Sequence, residues 1–315
     1  MSTDVMVCGP ARLVVHGAQP FLDELAFACR PWITTAPDRT TAPPDVWTVR
    51  IGPGTLAPPV ASRAGTDVRF SAADRTVHLP CPGGPAPVVR VLRALIRRQL
   101  AADGALFADA AVVSLPGGSD GIALLGGSCS GKTSTLIAYL HHHRRARLVA
   151  NDDAVLCLHD GRVTARGLPR AIEVRAESLP HLGAAARALT EGAEGGGSPG
   201  ALYLRPQMLA AVLDAELTAT TGLSALVVLE PGERCALERV EPQAAAEVLV
   251  SRLTAADPYE TWLDPYLPTP ALDLTGQAAV LARTVPVWRL AQPMTGLAQS
   301  AGLLAALSPI TGGTR

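Results

Sequence analysis

Residues 126–133 read Gly-Gly-Ser-Cys-Ser-Gly-Lys-Thr, a match to the phosphate-cradling pattern Gly-x-x-x-x-Gly-Lys-Ser/Thr. Gly126, Gly127 and Gly131 let the backbone curl so that successive N–H groups face phosphate oxygens. The helix that follows adds the positive end of its dipole. Ser128, Cys129, Ser130 and Ser134 line the same cradle with small side chains. Lys132 would bridge the β- and γ-phosphates of ATP, and Thr133 would offer its hydroxyl to Mg²⁺. Of 27 basic residues only Lys132 is a lysine. A chain that uses arginine wherever a positive charge suffices keeps lysine here for a reason of shape. A compact ammonium fits between two phosphates where a planar guanidinium is too wide.

Asp152 and Asp153 follow the helix and one short apolar run, where an acid that serves the metal or the acceptor belongs. Adjacent carboxylates at a strand end face different ways, so one is expected at the metal and the other at a substrate hydroxyl. Asn-Asp-Asp is also an ordinary polar turn. The elements needed to hold these groups are legible around them. Ala110–Leu115 and Ile122–Leu125 read as buried strands, the second entering the glycine loop directly. A helix is expected over 132–145, then strands at 147–150 and 154–158. His159-Asp-Gly-Arg162 is a hairpin signal, with 163–166 as the returning strand. Residues 223–229 read as a strand and 243–253 as a helix. Residues 183–200 are low in complexity and predict a mobile loop that would suit a substrate lid.

Residues 1–103 form a separate module in this reading. Short strand-like runs between proline- and glycine-rich turns end in a helix carrying Val88, Val91, Leu92, Leu95, Ile96 and Leu100 at helical spacing. Arg97-Arg98 and Arg144-Arg145 read as solvated helix faces. With 48% hydrophobic residues and a net charge of −1, the chain can bury a large core and carries no nucleic-acid footprint. No apolar run is long enough to span a membrane, and no secretory leader is legible, so a cytoplasmic location is expected. The six cysteines form no C-x-x-C pair, which argues against zinc and a disulfide framework. His141-His142-His143 splay around a helix end and suit its dipole better than a metal. The tryptophans read as core or interface anchors.

Three blocks together resemble the HPr kinase/phosphorylase family, whose core is similar to phosphoenolpyruvate carboxykinase. They are the phosphate loop, Arg147-Leu-Val-Ala-Asn-Asp-Asp-Ala-Val155, and Ala171-Ile-Glu-Val-Arg175 after Arg166-Gly-Leu-Pro-Arg170. The resemblance implies an α/β fold: a P-loop mixed-sheet core over 104–315 with a smaller N-terminal α+β domain over 1–103. It implies that Asp153 accepts the proton of the acceptor hydroxyl, that Thr133 and Glu173 hold Mg²⁺, and that Lys132 binds the transferring phosphates. Asp152 would support the metal or position Asp153, and Arg175 and Arg170 would steady phosphate charge. Relatives of this type assemble into homo-oligomers. Asn151 reads as an insertion before the aspartates, Phe107 stands where the family has a histidine, and Ala176-Glu-Ser-Leu replaces its glycines. These departures touch phosphorylase chemistry and HPr as substrate, and leave the kinase half intact.

The expected activity is therefore an HPr-kinase-like serine/threonine phosphotransferase, dependent on ATP and Mg²⁺, acting on a peptide or small protein such as a ribosomally made precursor. A small-molecule hydroxyl kinase on the same core and a non-catalytic nucleotide-binding regulator are the alternatives.

Overall fold

The computed structural model describes residues 2–36, 46–53, 59–61, 67–71, 73–80, 83–117, 120–192, 200–254, 261 and 271–307. The chain divides into two compact units, Met1–Ala105 with Ala255–Leu272, and Leu106–Thr254 with Asp273–Arg315.

The first unit holds strands β1 (Ser2–Cys8), β2 (Ala11–Gly17), β3 (Thr34–Thr35), β4 (Trp47–Ile51), β5 (Pro59–Ala61), β6 (Asp67–Ser71) and β7 (Thr76–Leu79). Among the described residues these form one mixed sheet in the order β3-β1-β2-β4-β7-β6-β5. Two helices accompany it, α1 (Gln19–Cys29) and α2 (Pro85–Ala102). Helix α1, unforeseen in the sequence, buries Leu22, Leu25 and Cys29, which share one helical face. Helix α2 corrects the expectation of a solvated arginine pair. Arg97 is 3% and Arg98 8% exposed. Their three-methylene stems let an arginine lie along apolar surface, so charge alone does not put the residue outside.

The second unit continues with β8 (Leu106–Ala108), β9 (Ala110–Ser114), β10 (Asp120–Leu125), α3 (Lys132–His142), β11 (Arg147–Ala150), β12 (Ala154–His159), β13 (Arg162–Gly167) and β14 (Ile172–Arg175). Then follow α4 (Ala184–Gly192), β15 (Ala201–Leu204), α5 (Pro206–Val212), β16 (Glu216–Leu217), β17 (Thr220–Pro231), β18 (Ala236–Val240), α6 (Pro242–Val250), β19 (Leu253–Thr254), α7 (Leu274–Thr284), β20 (Val287–Gln292) and α8 (Leu297–Ala305). The large sheet runs β16-β11-β9-β10-β17-β13-β12-β8-β19, with β20 on β17 and β18 on β20. Strands β10, β17 and β20 are parallel; β9 and β13 flank them antiparallel. The protein is thus a mixed α/β fold with mixed sheets.

Strand β10 is buried from Gly121 to Leu125 because neighbours pair with both its edges and its run of Ile, Ala and Leu suits cover on both faces. Asp160 and Gly161 both take positive φ, 50° and 71°, the turn that matches the twist of the β12–β13 hairpin. Helix α3 is nearly enclosed. Leu136, Ile137 and Leu140 are fully buried and share a core with α4, α5, α8 and the β14–β15 ribbon. Each such side chain contributes about 1.5–3 kcal/mol. The helix stops at His142, short of the expected Arg145, and Arg144-Arg145 are exposed in the turn beyond.

Residues 184–192 correct a second expectation. They are helix rather than loop, since Ala-Ala-Ala-Arg-Ala-Leu has high helix propensity and Ala185 and Leu189, one turn apart, enter the core. The remainder of the expected lid, 193–199, lies outside the described residues. No helix among the described residues is long and apolar enough to cross a membrane.

Candidate functional site

Strand β10 delivers the chain into loop 126–131 and α3 carries it away, the strand–loop–helix order that a phosphate cradle requires. Within the loop, Ser130 N–H donates to Gly127 O (3.2 Å) and Thr135 N–H to Gly131 O (2.8 Å). Gly131 caps the helix in the left-handed region (φ 91°) with no side-chain cap, so first-turn N–H groups are left to another acceptor. Cys129 is left-handed too (φ 64°), a conformation that costs a non-glycine residue about 1 kcal/mol and gathers at functional sites. A Cβ on Gly126 would run into the Ser130 side chain. From the end of β20, buried Gln292 donates Nε2 to Thr135 Oγ1 (2.7 Å) and braces the first helical turn.

Lys132 is 6% exposed, and its ammonium is held over the mouth of the loop. It donates to Gly126 O (2.9 Å) and Gly127 O (3.0 Å), and pairs with Asp109 Oδ2 at 3.3 Å and Asp152 Oδ1 at 3.8 Å. Asp109 stands between β8 and β9. Burial holds its carboxyl above the ordinary carboxylate range, Lys132 pulls it back down, and Asp152 pushes it up again.

The acidic turn after β11 distributes its three side chains differently. Thr133 Oγ1 donates to Asn151 Oδ1 (3.1 Å), so Asn151, not an aspartate, meets the hydroxyl of the loop. Asp152 takes a left-handed φ of 59° and turns to Lys132 with its side chain 26% exposed. Asp153 is 1% exposed. The expected divergence of the two aspartates is present, with Asp152 as the one open to solvent. Arg170 Nη1 donates to the carbonyl of Asp152 (3.4 Å) and so braces the turn.

Ser128 lies beside Cys129, its Oγ 3.5 Å from the exposed Cys129 thiol; Ser134 is buried behind the loop. Arg175, at the end of β14, reaches Cys129 and pairs with Glu177 (3.5 Å). Glu173 is exposed on β14, opposite the exposed Tyr203 of β15, and no contact among the described residues ties it to Lys132, Thr133 or Asp152. No group of three or more His, Cys, Asp or Glu side chains is placed to hold a metal among the described residues. A Mg²⁺ carried on phosphate needs fewer protein ligands than that. Buried Ser130 Oγ, Asn151 Nδ2 and Gln292 Oε1 have no hydrogen-bond partner among the described residues, and all three residues belong to or contact the cradle. Of these, the Ser130 hydroxyl and the Asn151 amide N–H are donors that fit phosphate oxygens, whereas Gln292 Oε1 is an acceptor and does not.

Four residues at this site carry no role in the sequence reading: Asp109, Asn151, Gln292 and Arg252, whose Nη1 stands 3.3 Å from where a Cβ on Gly127 would be. For Asp109 a signal exists, a lone acid inside the apolar run 105–113. Asn151 is legible only as a spacer. Gln292 and Arg252 come from distant segments, with nothing local to mark them.

No family profile matches this sequence, and no curated protein matches it. Among solved structures, the HPr(Ser) kinase/phosphatase of Coxiella burnetii is similar over 64% of this chain and 92% of its own, at 10% identity and a TM-score of 0.32. That is a distant likeness of fold, and it carries nothing about the site.

Proposed function

We propose that this protein is an ATP- and Mg²⁺-dependent phosphotransferase that moves the γ-phosphoryl group to a serine or threonine hydroxyl of a peptide or small protein. The observation that carries the reading is the convergence of a buried lysine, a helix-capping glycine loop and a solvent-facing carboxylate, Asp152, within 3.8 Å of that lysine. The acceptor oxygen bonds to the γ-phosphorus as the bond to the β–γ bridging oxygen breaks, and ADP leaves with that electron pair. Asp152 takes the hydroxyl proton, in place of the deeply buried Asp153 that the family resemblance favours. Lys132 and the loop N–H groups stabilise the charge that develops on the phosphate oxygens. Mg²⁺ supplies further charge neutralisation when bound. Thr133, its hydroxyl oriented by Asn151, would hold it, and Glu173 is the carboxylate the resemblance adds.

An acceptor presented on an open surface is supported by the β14–β15 ribbon. Its solvent side carries Glu173 and Tyr203, and its end reaches the loop through Arg175 and Cys129. Incubation with γ-labelled ATP, Mg²⁺ and a cell extract tests the proposal. Label is expected on a polypeptide with the wild type and is lost with Asp152→Asn. Nucleotide binding with no transfer to any acceptor would sink it.

A further inference from the structure

Arg252 follows α6 and immediately precedes β19, whose Leu253 pairs with Ala108 of β8. That register carries Arg252 to the edge of the sheet beside Asp109, the acid that pairs with Lys132. Its backbone N–H closes the turn on Leu249 O (2.8 Å). The guanidinium ends at the glycine loop, beside Gly127. A Cβ at position 127 would stand 3.3 Å from Nη1, which places the guanidinium against the backbone of Gly127.

The charge balance at the loop is uneven. Lys132 has two carboxylates and two carbonyls around its ammonium. Arg252 has no ion pair or side-chain hydrogen bond among the described residues, and its Nε is buried without an acceptor. A buried donor on a charged group favours an acceptor of opposite charge, so an anion is the expected complement. Lys132 marks where the β- and γ-phosphates of a bound triphosphate lie, over Gly126 and Gly127. Arg252 stands at that end of the loop, not at the Thr133 end. A planar fork matches the exposed oxygens of a terminal phosphoryl group, which a lysine already holding the bridge does not cover.

We infer that Arg252 binds the γ-phosphoryl group directly. It thereby selects nucleoside triphosphate over diphosphate and stabilises the charge of the group in transfer. The inference rests on the nucleotide-binding reading above and adds a residue and a selectivity to it. An arginine that grips only the departing group also favours product exchange, because ADP lacks what it holds.

The test is equilibrium binding of Mg·ATP and Mg·ADP, by calorimetry, to wild type, Arg252→Ala, Arg252→Gln and Arg252→Lys. The expected result is a loss of ATP affinity of about 10- to 100-fold in the alanine and glutamine variants, with ADP affinity changed less than about threefold. Lysine should restore part of the ATP affinity. Equal losses for both nucleotides, or no loss, would overturn the inference while leaving the nucleotide site standing. A wild type that binds neither nucleotide overturns both. Should the alanine variant fail to fold, the glutamine and lysine variants decide by the same ATP-to-ADP ratio, which a purely structural role would not move.

Discussion

Thr133 and Asn151 are joined side chain to side chain at 3.1 Å, hydroxyl to amide oxygen, linking the first turn of α3 to the end of β11. This contact sets the register of the acidic turn. With Asn151 on the loop hydroxyl, the next residue, Asp152, meets Lys132, and Asp153 goes inward. An amide at this point orients the hydroxyl without adding negative charge to the loop.

Replacing Asn151 by alanine removes the acceptor of the Thr133 hydroxyl and should weaken Mg·ATP binding by about 5- to 20-fold, the worth of roughly one hydrogen bond or a little more. Asn151→Asp keeps the acceptor and adds charge, so it should lower the Mg²⁺ concentration needed for half-maximal ATP binding. A magnesium titration of nucleotide affinity checks both. Identical curves for all three proteins would show that the contact has no part in binding.

Asp109 makes a pH-dependent prediction. Its folded-state pKa lies above the ordinary 3.8, with burial the first cause. The folded protein therefore holds this proton more tightly than the unfolded chain does. That contribution to stability is fully present below about pH 3.8 and is lost as pH rises through the raised value. Asp109→Asn, neutral throughout, should melt with the wild type near pH 4 and about 1–2 °C above it at pH 7, the scale of a partly exposed charge. A variant less stable than wild type at pH 7 would mean that the Lys132 pairing outweighs burial.

Tyr139 is wholly buried in α3, and burial pushes its phenol up to about 12. Its hydroxyl has no partner among the described residues, although the ring packs on His143 at 4.5 Å. Tyr139→Phe keeps the packing and removes the unmet polar group. It should be stabilising by about 1 kcal/mol, or some 2–4 °C in Tm. A loss of stability on thermal melting would reveal a partner for the hydroxyl.

The cysteines differ sharply in reach. Cys129 is exposed on the phosphate loop, whereas Cys8 and Cys29 are buried and the Cys29 thiol is pushed up to about 12 by burial and by Cys8. A maleimide should therefore modify Cys129 well before either of those two, and Mg·ATP should slow that modification at least tenfold. Peptide mapping by mass spectrometry reads the site and the protection. Equal labelling with and without nucleotide would place the ligand elsewhere.

Local order was legible in the residues themselves. The strand, loop and helix from 120 to 142 are contiguous, and glycine placement, apolar runs and the lone lysine each act over a few residues. The hairpin at Asp160-Gly161 is legible for the same reason, since its left-handed turn is a property of two neighbours. Where contiguity ended, so did legibility. Helix α1 is fixed by the burial of Leu22 and Leu25, and at 184–192 the local helix propensity takes effect because Ala185 and Leu189 find apolar partners. The buried arginines of α2 show the same dependence on surroundings.

At the site, the sequence by itself determined that a glycine loop with a lysine is followed by an acidic turn, because those residue types and spacings lie within short contiguous stretches. Which acid faces Lys132, what meets Thr133, and the arrival of Asp109, Gln292 and Arg252 were decided only by tertiary structure. Sheet pairing carries those residues in from separate parts of the chain, and burial then selects which of their polar atoms remain open to a ligand.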